Sequence, residues 1–109
     1  MYGKFGRKFY QVIFYRTLSP AQKDLIAIFE YISKDNPTAA ISHLERLDKS
    51  ISQLALNPLI GVIPNDERLK KLGYRMLIVG KYLVFYVVKC QTVQIRRVIH
   101  GARQYSFLL

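Results

Sequence analysis

Hydrophobic and polar positions change their period twice along this chain. Lys8 to Arg16, KFYQVIFYR, is dense in aromatic and β-branched residues and predicts a first strand. Ser19-Pro20 then predicts a helix start, with Ser19 as N-cap and Pro20 in the first turn, where its missing N–H costs nothing. Leu25, Ile28, Phe29 and Ile32 follow at the spacing of one helical face. Asp35-Asn36-Pro37 ends that helix. It also opens a second one, with Asn36 as N-cap and Pro37 at the first helical position. Ala40, Ile41, Leu44, Leu47, Ile51, Leu54 and Ala55 give the second helix its apolar face, and Asn57-Pro58 ends it. So short a link makes the two helices an antiparallel hairpin.

Pro, Gly and Asn punctuate NPLIGVIPNDER, residues 57–68, which reads as a loop. From Leu69 the period becomes that of strands. Tyr74 to Val79 is one, closed by a turn at Gly80-Lys81. Tyr82 to Lys89 is almost continuously apolar, as in a strand buried on both faces. Val93 to His100 is the last strand, and Gly101 ends it; Val93 and Ile95 share one face, Thr92 and Gln94 the other. The order β-α-α-β-β-β predicts an α+β fold, a helical hairpin packed on a small curved antiparallel sheet. At 109 residues the chain predicts one domain, over 9–109, behind a loose basic extension at 1–8.

Charge adds what the pattern lacks. The formal net charge is +10, and all seven acids lie between Asp24 and Glu67. Both ends therefore carry unopposed positive charge, which would attract a polyanion or an acidic protein segment if the ends meet. No apolar run approaches the roughly 20 residues of a membrane span, and the N-terminus lacks the pattern of a signal peptide. With Cys90 as its one cysteine the chain makes no internal disulfide, which fits a reducing, cytoplasmic setting. Two histidines, one cysteine and scattered acids give no metal-ligand spacing, so neither metal nor cofactor is expected.

The ordered set EYI-x-x-DNP-x-A-A, NP-x-x-G, the Tyr74-Arg75 opening of the meander and the closing RVIHGAR resembles the RelE/ParE superfamily of toxins from bacterial type II toxin–antitoxin systems, on its ParE side. The resemblance spans about residues 9–105. It implies a basic concave surface on the sheet and a cognate acidic antitoxin that wraps the toxin into a hetero-oligomer. It also implies one of two targets. RelE-like members cut mRNA on the ribosome, and ParE-like members trap DNA gyrase on broken DNA.

Phosphodiester cleavage by 2′-OH attack requires removal of a proton, stabilisation of the phosphorane charge and protonation of the leaving oxygen. The RelE-like pattern supplies these from clustered basic residues and a tyrosine. Carried over singly, its first basic position falls on Arg75 and its second on Leu77. The arginine after a strand-opening aromatic falls on Leu83, the arginine after the last strand on Arg103, and the tail tyrosine near Leu109, with Tyr105 the nearest candidate. His100 is a substitute base in a nuclease reading. With leucine at two positions that need charge, the ParE-like reading is favoured: inhibitory binding, to gyrase, with the mRNA endoribonuclease as alternative. A toxin homologue of reduced activity, or a non-toxic nucleic-acid-binding module, is a further alternative.

The expected antitoxin- or target-binding face comprises Lys70, Lys71, Arg75, Arg97 and Arg103. Arg96 and Arg97, being adjacent, should point to opposite faces of the strand, Arg97 to the Val93/Ile95 side. There it either binds an anion or pairs with an acid of the helices. Tyr82, Phe85 and Tyr86 read as core more readily than as base-stacking platforms.

Overall fold

The computed structural model describes residues 14–101, 105, 108 and 109. Strand β1 (Phe14–Thr17) leads into helices α1 (Ser19–Ser33) and α2 (Pro37–Gln53). A short helix α3 (Glu67–Lys71) precedes the meander β2 (Tyr74–Val79), β3 (Tyr82–Lys89) and β4 (Thr92–His100). The predicted extension at 1–8 and residues 8–13 of the predicted first strand lie outside the described residues.

The four strands form one sheet in the order β1-β4-β3-β2. The meander is antiparallel, as expected from its two tight turns. The first of these places Gly80 at φ +59°, which favours glycine. β1 joins parallel to β4, from Phe14 opposite Thr92 to Thr17 opposite Ile95. The helical hairpin between them is long enough to make that crossover. β3 is internal, and Val84, Phe85, Tyr86 and Val87 are buried in succession, which explains its unbroken apolar run.

Helix starts follow the sequence with one correction. Asn36 caps α2, its Oδ1 accepting from the Ala39 N–H at 3.0 Å, and Pro37 opens the first turn. Ser19, expected as the cap of α1, is its first helical residue instead. Leu18 holds the cap position without a side-chain bond, while Gln22 donates to the Thr17 carbonyl at 2.9 Å. α3 is a second correction, since the sequence reading assigned this stretch to loop and incoming strand. Asp66 caps it through the Leu69 N–H at 3.0 Å, and Leu69 is fully buried.

The sheet has a core on each side. Against the hairpin, Ala21, Leu47, Ile51 and Leu54 meet Val79, Val84, Tyr86, Val93, Ile95 and Val98. On the outer side, Leu69 packs with Tyr74, Phe85, Val87 and Ile99, joined by Tyr105, Leu108 and Leu109 of the C-terminal segment. Burying each aliphatic side chain contributes roughly 1.5–3 kcal/mol.

Candidate functional site

The register of β3 against β4 slips between Phe85 and Tyr86: Phe85 faces Arg97, but Tyr86 faces Ile95. Arg96 is the extra residue of this β-bulge. The alternation of β4 therefore resets, and Arg96 and Arg97 both lie on the outer side rather than on opposite faces. Arg96 spans Gln94, to which it donates twice (2.8 and 3.2 Å), and lies 5.8 Å from the centre of the Tyr74 ring.

Arg97 reaches back around the strand edge to Asp24 of α1. The last β1–β4 pair is Thr17 with Ile95, so β1 gives Val98 no strand neighbour. The Asp24 carboxylate fills that place, accepting from the Val98 N–H at 2.9 Å and from two Arg97 nitrogens at 2.7 and 2.9 Å. The pair is largely buried, and the hydrogen bond to Asp24 raises the Arg97 pKa above its ordinary value. A third Arg97 bond, 3.0 Å to the Leu108 carbonyl, holds the C-terminal segment on the outer side. Of the two roles open to Arg97 from the sequence, pairing with a helix acid is the one observed.

Arg75 lies on the other side of the sheet, opposite Tyr86. There the NP-x-x-G loop is fastened. The buried Tyr86 hydroxyl donates to the Pro58 carbonyl at 2.7 Å and accepts from the Gly61 N–H at 2.9 Å. Arg75 donates to the Gly61 carbonyl at 2.8 Å and to that of Leu59 at 3.4 Å. Val62 then pairs with Met76 through two backbone bonds, covering part of the β2 edge. Gly61 is required by contact, because a Cβ there would sit 2.5 Å from the Tyr86 hydroxyl oxygen. Burial raises the Tyr86 pKa, with the Gly61 N–H and the Arg75 charge opposing.

The described members of the nuclease set, Arg75, His100 and Tyr105, are not gathered. Arg75 is on the helix side beneath the loop. His100 is at the far end of the sheet, edge-on to Tyr82 with ring centres 5.6 Å apart. Tyr105 is on the outer side against Phe85, 4.9 Å between centres. Arg103 lies outside the described residues. Leu77 and Leu83 do not share a face either: Leu77 packs on the helix-side core and Leu83 on the outer one. The β2 positions on the Leu83 side are Tyr74, Met76 and Ile78, so the carry-over of the basic pair to residues 75 and 77 is out of phase with the sheet.

Of the expected binding face, Lys70, Lys71 and Arg97 are on the outer side and Arg75 is not. Lys70 is 3.5 Å from Glu67 on the same helix. Sequence reasoning missed Arg68, which donates at 3.4 Å to the Leu109 carbonyl, and Asp24, whose signal was an acid on the otherwise apolar α1 face. Where the resemblance implied a basic concave surface, the centre of the outer side is apolar, and Arg96, Arg97 and α3 border it. Among the described residues no three of His, Cys, Asp and Glu are grouped to hold a metal, and no helix is long and apolar enough to cross a membrane.

Comparison with known proteins agrees with this architecture. The model of the ParE toxin of the type II toxin–antitoxin system parDE matches residues 15–105. Among solved structures, a chain of the chromosomal ParDE toxin–antitoxin system of P. aeruginosa superposes with a TM-score of 0.69 at 20% identity, covering 83% of this chain and 97% of that one. A chain of the RelBE2 toxin–antitoxin complex of Mycobacterium tuberculosis superposes with a TM-score of 0.56 at 23% identity, covering 81% and 96%. No curated protein matches significantly. With the family model covering the chain from β1 through Tyr105, and the same fold in both solved relatives, this chain belongs to the ParE toxin family of type II toxin–antitoxin systems, within the RelE/ParE superfamily.

Proposed function

We propose that this toxin acts by inhibitory binding to DNA gyrase and that a cognate acidic antitoxin neutralises it in the cytoplasm. The observation that carries the binding reading is the outer side of the sheet. Its centre is a packed apolar cluster, with Phe85 and Ile99 buried and Met76, Leu83, Tyr105, Leu108 and Leu109 against them, and Arg97, paired across from Phe85, is engaged by Asp24. Among the described residues this side therefore offers a filled apolar cluster in place of an open group of charged side chains around a phosphodiester. Removing one charge stabiliser from such a site typically costs about 3–4 kcal/mol of transition-state stabilisation. Gyrase as the target follows from the ParE resemblance. Both solved relatives come from toxin–antitoxin systems, which supports an antitoxin partner. The exposed Lys70 and Lys71 of α3 suit an acidic segment laid along α3.

Induced expression in a bacterium, with and without the neighbouring open reading frame, tests the proposal. The expected result is growth arrest with a DNA-damage response, relieved by co-expression of the neighbour, and inhibition of gyrase by purified toxin. mRNA cuts at defined codon positions, lost in an Arg75→Ala, Arg103→Ala double variant, would establish the endoribonuclease in its place.

A further inference from the structure

Two adjoining depressions lie on the helix side of the sheet, at the end where the β2–β3 turn meets the helical hairpin. Their volumes are about 520 and 540 Å³, and they share Tyr31, Tyr82 and His100. Each is of small-ligand size. The first is walled by His43 and Arg46 of α2 and by Lys81 of the turn, with no acid among its lining residues. Arg46 lies across the turn: a Cβ on Gly80 would sit 3.2 Å from its Nη1. His43, Arg46, Lys81 and His100 are all exposed.

The second depression differs in chemistry. Its walls are Tyr31, Tyr82 and His100, and Ala27 and Ile28 of α1 line it. Tyr82 and His100 stand edge to face at the junction, 82° between ring planes. The one acid there, Asp24, already accepts from Arg97 and from the Val98 N–H. A cationic chamber thus opens into a ring-lined one.

We propose that this double depression binds a nucleoside phosphate, the phosphoryl group between Arg46 and Lys81 and the base among Tyr31, Tyr82 and His100. The Arg46 and Lys81 cations, with the His43 imidazole on the same wall, can surround phosphate oxygens with donors. Aromatic faces accept any base by stacking. A carboxylate side chain would satisfy the first chamber but leave the second empty. The site lies on the helix side, away from Met76, Leu83 and Phe85, and does not depend on the target proposed above.

Titration of the full-length toxin with adenosine 5′-monophosphate, adenosine and inorganic phosphate tests the assignment. The monophosphate should saturate a single site, with adenosine and phosphate each binding much more weakly. Arg46→Gln with Lys81→Gln should weaken the monophosphate at least about tenfold. Tyr31→Ala, at a residue 74% exposed and so safe for folding, should weaken the monophosphate but not phosphate. Lys23→Gln with Lys89→Gln removes the same charge elsewhere and should leave binding nearly unchanged. A 5′-phosphorylated trinucleotide identifies the source: tighter binding than the monophosphate points to a nucleic-acid strand, equal binding to a free nucleotide. No saturable binding, equal loss in both double variants, or phosphate binding as tightly as the monophosphate would overturn the proposal.

Discussion

Tyr86 and Gly61 show how one hydroxyl can fix a loop. The loop between α2 and α3 carries exposed Leu59, Val62 and Ile63, so apolar burial alone does not hold it. Beside the buried Pro64, polar contacts hold it: the Tyr86 hydroxyl both donates and accepts, and Arg75 takes the Gly61 carbonyl. Tyr86→Phe keeps the ring but leaves the Gly61 N–H without this acceptor in a buried place. A stability loss of about 1–3 kcal/mol is expected in chemical denaturation. Gly61→Ala should cost a similar roughly 1–3 kcal/mol, because the methyl must displace the tyrosine. The folded-state pKa of Tyr86 is raised, so its contribution is complete below the ordinary value of 10 and is lost as pH rises through the folded value. Stability should therefore fall above pH 10, and less steeply in Tyr86→Phe. An equal alkaline slope in the two proteins would assign the effect to other groups.

At the scale of elements, the sequence carried the helices and the meander, because long periodic segments dominate their own burial. Asn36-Pro37 marked a helix start that the Asn36 cap confirms. Features decided by tertiary pairing were not legible. The bulge at Arg96 is one, because nothing in QIRRVI distinguishes regular alternation from a reset. Its effect on the site is large, since it brings two arginines to one face, and Arg97 must reach back around the strand edge to meet Asp24. The phase of β2 is the other: only its register with β3 shows that residues 75 and 77 face the helices. Five-residue α3 gives too short a pattern for periodicity, although Asp66-Glu67 ahead of Arg68, Lys70 and Lys71 has the charge order of a helix. Asp24→Asn tests the cross-element clamp. It removes the charge that holds Arg97, and a loss of about 2–4 kcal/mol is expected. The amide signals of Val98 and Leu108 should shift together. A change within ~0.5 kcal/mol would show that the pair adds nothing to the docking of α1 on β4.

For the whole molecule, the location of the acids matters more than their number. Of the seven, Asp24 is engaged by Arg97, Asp66 caps α3, and Glu67 lies beside Lys70. Acid charge is thus partly spent on the fold, while Lys71 and the turn residue Lys81 face solvent. A net charge of +10 on a domain this size sets up a field that reaches beyond contact distance and is screened over about 8–10 Å at physiological salt. An acidic antitoxin should therefore be captured at long range and held by short-range packing. The two stages separate kinetically. Raising salt from about 50 to about 500 mM should slow association at least about tenfold and change dissociation much less. Lys70→Gln with Lys71→Gln should reduce the association rate and flatten its salt dependence, while stability stays within ~0.5 kcal/mol, because both side chains are exposed. Stopped-flow mixing of toxin and antitoxin across the salt series measures both. An association rate that does not respond to salt would mean that apolar packing selects the partner, and the segregation of charge in this chain would need another role.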